Sequence, residues 1–345
     1  MTVKLFNTFT ACDVICWQAL LTFFKRLINM KAIKFKQFGP SSVLEVMSVP
    51  TPVLSNASQG QMLIRVYSAG INPIDAKIRE GSSFVCQNLN LPSGLGFELC
   101  GEVVELGEGA SDFKVGDVIL GKVVNYNQPC TYSEYCIIDE SSVILKPKSM
   151  SAEVAGALPT AGFTAWQAVH THGKVKSGDR VLIHAGAGGV GHLAIQIAKL
   201  AGAFVITTAS EKHHEFLKDL GVDEIIDYRK ESFVDRVNNV DVVIDLVGSE
   251  TGLQSLSVLK PTGRLVTVPT ITRDEILAEA GKQGVNATGM LAENNKSDLE
   301  KLAGLIAEDK IQLKISASFP LSQAKEAHDL LETKRTQGKI VLMMQ

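Results

Sequence analysis

Concentrated basic charge is missing from this sequence: 34 Lys and Arg face 37 Asp and Glu, a formal charge of −3. Binding nucleic acid by counterion release needs a basic surface, so that class is excluded and the expected partner is a small molecule. Metal-binding cysteine spacing is missing too. The six cysteines, Cys12, Cys16, Cys86, Cys100, Cys130 and Cys136, include no C-x-x-C pair and no metal-ligand spacing with a histidine. They read as reduced thiols of a cytoplasmic protein. No apolar run reaches membrane length, since Phe9–Phe24 is short and interrupted by Asp13 and Gln18. It runs into Lys25 and Arg26, where a signal peptide would need small residues. Residues 1–29 are therefore expected to be an extension outside the fold, an upstream start or a loosely attached helix, whose deletion leaves activity intact. No membrane partner is expected. The chain has no internal repeat, no low-complexity run and no G-x-S-x-G elbow. His213-His214-Glu215 opens like a metalloprotease motif, but Lys218 stands where the second histidine belongs.

With 45% hydrophobic residues over 345 positions, the chain buries at least one full core, and its length fits two domains better than one. From Met30 to Lys148, short apolar runs such as Met62–Tyr67, Gly101–Leu106 and Val115–Leu120 are broken by Gly, Pro, Asn and Asp. That rhythm predicts many short strands in a barrel or sandwich. Beyond Ser151, strand candidates Val181–Ala185, Phe204–Thr208, Glu224–Tyr228, Val242–Val247 and Arg264–Pro269 alternate with helical segments. Such alternation predicts a parallel sheet covered on both faces. Among the helices, Glu211–Leu220 is closed by Gly221, and Ser322 caps Gln323–Glu332. Lys339–Met343 reads as a strand returning to the first domain. The expected division is 30–150 with 311–345, and 151–310.

The strongest local signal is Val181-Leu182-Ile183-His184-Ala185-Gly186-Ala187-Gly188-Gly189-Val190-Gly191, an apolar strand running into a G-x-G-x-x-G turn. Val190, Leu193, Ala194, Ile197 and Ala198 then fall on one helical face. The glycines permit a tight turn, close approach of backbone to a pyrophosphate, and close helix–strand packing. The helix N-terminus adds unpaired N–H groups for phosphate. A dinucleotide site is expected here, the bland alternative being a glycine-rich connection. At the end of the second strand, Thr207-Thr208-Ala209-Ser210-Glu211-Lys212 offers a hydroxyl and a lysine suited to a 2′-phosphate, so NADPH is the expected cofactor. Glu211 opposes that choice unless it merely begins the next helix.

Gly70-Ile71-Asn72-Pro73-Ile74-Asp75, Pro92-Ser93-Gly94-Leu95-Gly96-Phe97-Glu98, and Gly101-Glu102-Val103 through Gly116-Asp117-Val118, standing ahead of that turn, resemble the medium-chain dehydrogenase/reductase superfamily. The resemblance covers nearly everything after Met30. It implies an α/β protein with a GroES-like β-barrel catalytic domain and a Rossmann doubly wound parallel-sheet domain. Zinc-dependent members hold their metal with Cys, His and a second Cys or an acid. Asn72 and Phe97 take the first two places here, and neither serves as a thiolate or imidazole does. Asn72–Asp75, Leu158-Pro159-Thr160-Ala161-Gly162 and Gly338-Lys339-Ile340-Val341 resemble the zinc-free quinone oxidoreductase branch, which includes alkenal and enone reductases.

That resemblance implies hydride transfer from NADPH to a quinone or an activated alkene, in a homodimer. It places Asn72 near the nicotinamide ribose or the substrate carbonyl, where an amide donates to developing negative charge. Thr160 either holds the cofactor at the domain junction or caps the helix after Gly162. Tyr228 lies beside the adenosine phosphate near Ser210. Val247 and Gly248, with Val268, Pro269 and Thr270, close two strands where ligands gather. Gly186, Gly188, Gly189, Val190, Gly191, Lys212 and Lys339 complete the expected cofactor set. Tyr67 and Tyr126 are weighed as proton donors against packed aromatics, and water can supply the proton instead. His184 is expected to pack in its strand. Residues Asn125–Pro129 and 271–291 are expected to shape the pocket. A non-catalytic NADPH-binding protein on the same scaffold remains the alternative.

Overall fold

The structure is a computed structural model that describes residues 29–55, 59–123 and 130–344. Tyr126 and the 124–129 segment lie outside the described residues, as does all of the N-terminal extension up to residue 28. β1 (Asn29–Lys34) and β2 (Glu45–Pro50) pair antiparallel. The barrel sheet takes β3 (Gln61–Ile71), β4 (Glu98–Leu106), β5 (Val118–Lys122), β6 (Tyr135–Asp139) and β7 (Val143–Leu145). Two strands from the far end of the chain, β14 (Ile315–Pro320) and β15 (Lys339–Met343), extend it in the order β14-β15-β3-β4-β5-β7. β3 is long because it serves three partners. It pairs with β4 along most of its length, with β6 at Gln61–Arg65 and with β15 at Ser68–Ile71. Register shifts at Leu63/Ile64 and Val66/Ser68 bend it around the barrel.

β3 runs directly into α1 (Pro73–Glu80). Pro73 suits the first helical position, and the Asp75 carboxylate takes the N–H of the N-cap residue Asn72 at 2.8 Å. Gly81, at φ 82°, closes the helix in the left-handed region.

The second sheet is parallel throughout: β8 (Arg180–Ile183), β9 (Phe204–Thr208), β10 (Glu224–Ile226), β11 (Val240–Asp245), β12 (Leu259–Thr267) and β13 (Asn286–Gly289). Its order is β10-β9-β8-β11-β12-β13, so the chain reverses direction of travel between β8 and β11. Ligands of doubly wound sheets settle at that reversal, beyond the carboxyl ends of the strands. β13 is absent from the sequence reading because Asn-Ala-Thr-Gly carries no apolar run to announce it.

Several expected boundaries move. Strand β8 ends at Ile183 because Ala185 takes φ 52°, and β11 ends at Asp245 because its carboxylate draws the next N–H groups into a turn. β10 ends at Ile226, so Tyr228 lies in the following turn rather than in the strand. Ser322 is not the cap of the last helix. A 3₁₀ turn spans Leu321–Gln323, and the α-helix begins at Ala324. Glu211–Leu220 likewise opens with a 3₁₀ turn before the α-helix His214–Asp219, while Gly221 terminates it at φ 81°.

The helix α2 (Ala152–Trp166) joins the two sheets. It packs on β3 and β4 on one side and on α3 (Gly191–Leu200) on the other. Leu158 and Ala161 of α2 therefore share one buried core with Cys100 and Leu120 of the barrel and Val181 and Val205 of the parallel sheet. Each fully buried aliphatic side chain contributes about 1.5–3 kcal/mol of transfer free energy, so the junction is held by apolar packing and not by a thin linker. Among the described residues, no helix is long and apolar enough to cross a membrane, and Cys86, Cys100, Cys130 and Cys136 are free thiols.

Candidate active site

The glycine turn leaves β8 and enters α3. A Cβ on Gly186 would stand 2.0 Å from Thr207 Oγ1, and one on Gly191 would stand 2.4 Å from the Ala185 carbonyl oxygen. Both positions are closed by packing. Gly188 is more open, its nearest neighbour being the Ala185 carbonyl at 3.3 Å. The amides of Gly189, Val190 and Gly191 donate to no backbone acceptor among the described residues. They form the unsatisfied first turn of α3, with the dipole's positive end behind them. This is a cradle for an anion.

The turn is braced from beneath. His192, fully buried, donates from Nδ1 to the Gly188 carbonyl at 2.8 Å and accepts the Lys314 N–H at Nε2. Burial holds its pKa down at about 4, so the ring is neutral in this tautomer. Gly338 pairs with Gly188 across the junction and donates its N–H to the Ala187 carbonyl at 2.9 Å. His184 is buried as expected, though one residue past the end of β8 rather than in it, hydrogen-bonded to Thr208 and Ser255, its pKa also lowered by burial to about 4.

Beside the turn stands a polar cluster that the sequence reading did not assemble. Glu98, at the start of β4, is fully buried. Its Oε1 accepts from Asn72 Nδ2 at 2.7 Å and from Lys339 Nζ at 3.0 Å, and its Oε2 accepts the backbone N–H of Thr160 at 2.5 Å. Thr160 does not cap a helix after Gly162, because it lies inside α2. Pro159 removes one helical donor and its ring disturbs the turn before it. The Thr160 N–H is thereby available to Glu98, and the Thr160 hydroxyl is left buried without a partner. Gly70 makes room for the carboxylate: a Cβ there would sit 2.1 Å from Glu98 Oε1. The stem of Lys339 passes Gly189, where an added Cβ would meet Lys339 Cδ at 2.9 Å. Asn72, Thr160 and Lys339 thus converge on Glu98, at the edge of the glycine cradle.

The remaining expected residues line the carboxyl ends of the parallel strands. Ser210 is buried after β9, and Lys212 donates to the Arg335 carbonyl at 3.2 Å. Glu211 turns to Lys230, at 2.8 Å, in an exposed ion pair. Tyr228 is exposed, with the Arg229 guanidinium over its ring. The N–H groups of Val247 and Gly248 both donate to Asp245 Oδ1, at 2.9 and 2.8 Å. A Cβ on Gly248 would stand 3.0 Å from Pro269, so these two strand ends touch. Val268, Pro269 and Thr270 are half-buried there. Tyr67 is not part of this group, its hydroxyl being donated to Glu102 alongside Arg65.

Glu98, His192 and Asp245 escaped the sequence reading. Each carries a short-range signal that has no meaning until the fold is known. Glu98 directly follows Phe97, His192 lies one residue past the glycine turn, and Asp245 ends an apolar run. A metal fares worse. Among the described residues, no three His, Cys, Asp or Glu side chains come together, Phe97 presents a buried phenyl ring, and Asn72 is committed to Glu98. This donor set does not fit zinc.

Comparison with known proteins gives the family. Residues 58–177 match the family model "Alcohol dehydrogenase GroES-like domain" and residues 220–342 match "Zinc-binding dehydrogenase". The chain is 33% identical to the 2-methylene-furan-3-one reductase of Solanum lycopersicum over 323 residues, which cover 91% of this chain and 79% of that one. Among solved structures, the quinone oxidoreductase from Coxiella burnetii is 47% identical, with a TM-score of 0.89 over 92% of this chain and all of that one. The Escherichia coli quinone oxidoreductase complexed with NADPH is 27% identical, with a TM-score of 0.80 over 91% of this chain and 99% of the other.

Proposed function

We propose, from the premise that this chain belongs to the quinone oxidoreductase branch of the medium-chain dehydrogenase/reductase superfamily, that it is an NADPH-dependent, zinc-independent reductase of quinones or α,β-unsaturated carbonyls. The observation that carries the reading is the open row of amides at Gly189–Gly191, set beside the Asn72–Glu98–Lys339 cluster. The first group suits a diphosphate, and the second supplies directed polar atoms where the two sheets meet. Bound there, the cofactor supplies the hydride.

The chain's own residues supply orientation and electrostatics. Gly188, Gly189, Val190 and Gly191 hold the diphosphate, with Gly186 shaping the turn beneath. Ser210 and Lys212 take the 2′-phosphate, with Tyr228 beside the adenosine end. Val247, Gly248, Val268, Pro269 and Thr270 flank the nicotinamide along the strand ends, and Thr160 offers its unpartnered hydroxyl at the junction. Asn72 donates an N–H as charge builds on an oxygen. The barrel, 30–150 with 311–345, forms the substrate side and 151–310 the cofactor side. No acid is assigned to protonate the product, and water serves.

The test is NADPH oxidation followed at 340 nm with 1,4-benzoquinone, an alkenal and a simple ketone. Turnover with the first two and none with the ketone is expected. Tight NADPH binding without turnover on any acceptor would instead support a non-catalytic binding protein.

A further inference from the structure

The carboxamide of Asn72 has one orientation open to it. Lys339 Nζ donates to Asn72 Oδ1 at 2.5 Å, and an ammonium has no acceptor to offer in return. On the other side Glu98 Oε1 accepts from Asn72 Nδ2, and a carboxylate has no donor. A flipped amide would set its oxygen against the carboxylate and its nitrogen against the ammonium. Both side chains are occupied in holding it. Lys339 divides its three protons among the Ile71 carbonyl, Asn72 and Glu98, while Glu98 is anchored through its second oxygen to Thr160 N. Lys339 therefore turns its charge into the barrel, away from the row of amides that its stem passes.

Glu98 and Lys339 are both almost completely buried, at 0% and 4% side-chain exposure. Apolar residues of similar shape stabilise a core as well as or better than a buried ion pair. Stability alone thus gives little reason for this pair, and the orientation it imposes on Asn72 gives a specific one. Glu98 uses one Nδ2 proton. No other described residue accepts the second.

We propose that Glu98 and Lys339 are positioning residues that lock the Asn72 amide so that it presents an N–H, and never its oxygen, to the bound ligand. The inference rests on the reductase reading and sharpens it. The atom facing Asn72 is an acceptor oxygen, either a ribose hydroxyl of the nicotinamide half or the carbonyl oxygen of the electron acceptor. Lys339 acts through Asn72 and not as a phosphate ligand.

A double-mutant cycle tests this, using NADPH affinity and the single-turnover rate of hydride transfer to 1,4-benzoquinone. Asn72→Ala first identifies the oxygen: weakened NADPH binding names the ribose, and a slower transfer at saturating NADPH names the acceptor carbonyl. The charge-neutral double variant Glu98→Gln/Lys339→Met should lower that same parameter about tenfold or more, the scale of a misplaced donor. Added to Asn72→Ala, the double change should cost less than about a further twofold, since coupled residues are not additive. A folded double variant with wild-type kinetics overturns the proposal. So does an additive effect, which would return Lys339 to direct contact with the cofactor. Should the double variant not fold, Glu98→Gln alone keeps the Lys339 contact to Asn72 and should show a smaller loss in the same parameter, with unchanged kinetics again counting against the proposal. Wild-type protein that neither binds NADPH nor transfers hydride would refute the reductase reading itself, independently of these variants.

Discussion

The buried imidazole of His192, from inside the first turn of α3, reaches back 2.8 Å to the carbonyl oxygen of Gly188 and so fixes the turn that precedes its own helix. The bond needs a proton on Nδ1 and a lone pair on Nε2, where the Lys314 N–H arrives. Only the neutral ring satisfies both. Its folded pKa is about 4 against an ordinary value of 6.5. Between those values the unfolded chain binds the extra proton, so stability rises with pH across this window and is lost as pH falls from 6.5 toward 4. Each unit is about 1.4 kcal/mol, so the His192 contribution should fall by about 2 kcal/mol between pH 6.5 and 5. Asp75, raised by burial to about 7, acts with the opposite sign but is common to wild type and variant. Urea unfolding of wild type and His192→Asn at pH 7.5, 6 and 5 checks this. The gap between them should shrink with acid, and a gap independent of pH would count against a neutral His192.

Gly70 and Gly281 offer a paired test of close approach. A Cβ on Gly70 would stand 2.1 Å from Glu98 Oε1 and 2.9 Å from the Ala157 Cα, and the latter is backbone that cannot step aside. Gly70→Ala should cost about 1–3 kcal/mol through overpacking, and it should slow hydride transfer by displacing Glu98. Gly281 lies within the helix Arg273–Gln283 with open space around it. Gly281→Ala should therefore stabilise by about 0.5–1 kcal/mol. Thermal melts of the two variants should move in opposite directions, and melts that move together would show that Glu98 is not held against β3.

These residues also show what a sequence discloses. The parallel sheet was legible because Phe204–Thr208 and its neighbours are uniform apolar runs at regular spacing, and the cradle because three glycines must stand at fixed intervals for a helix to begin there. β13 was not, since a short edge strand of Asn-Ala-Thr-Gly buries little. Thr160 was read either as holding the cofactor or as capping a helix after Gly162, since a threonine suits an N-cap. The helix instead tolerates Pro159, with Glu98 collecting the N–H set free nearby. That contact joins residues 62 positions apart, and only tertiary structure brings them into register. Local patterns marked the glycine turn, and the long-range polar cluster stayed hidden.

Lys212 lies after β9 with Glu211 already paired to Lys230. That pairing draws Glu211 toward Lys230, whereas an unpaired carboxylate beside Ser210 would repel a phosphate. Lys212→Ala should raise the KM for NADPH about tenfold or more, the loss of one charge-assisted hydrogen bond, and leave that for NADH within about twofold. Steady-state kinetics with both cofactors decide it. Equal effects on the two would remove Lys212 from the 2′-phosphate site.

Zinc chemistry would require a set of soft or imidazole ligands around one point. Asn72 is instead occupied by Glu98 and Lys339, and Phe97 offers carbon. Glu98 accepts from three donors, Asn72 Nδ2, Lys339 Nζ and the Thr160 N–H, so binding a metal would mean giving up contacts that hold the cluster together. Dialysis against a chelator should therefore leave quinone reduction unchanged, and elemental analysis should find well below one zinc per chain. Restoring a ligand set by Asn72→Cys with Phe97→His should not recruit catalytic zinc either, because Lys339 holds a positive charge 3.0 Å from Glu98, against the same carboxylate. A stoichiometric, activity-linked zinc in the unmodified protein would mean that the cluster rearranges around a metal, and the orientation argument for Asn72 would fall with it.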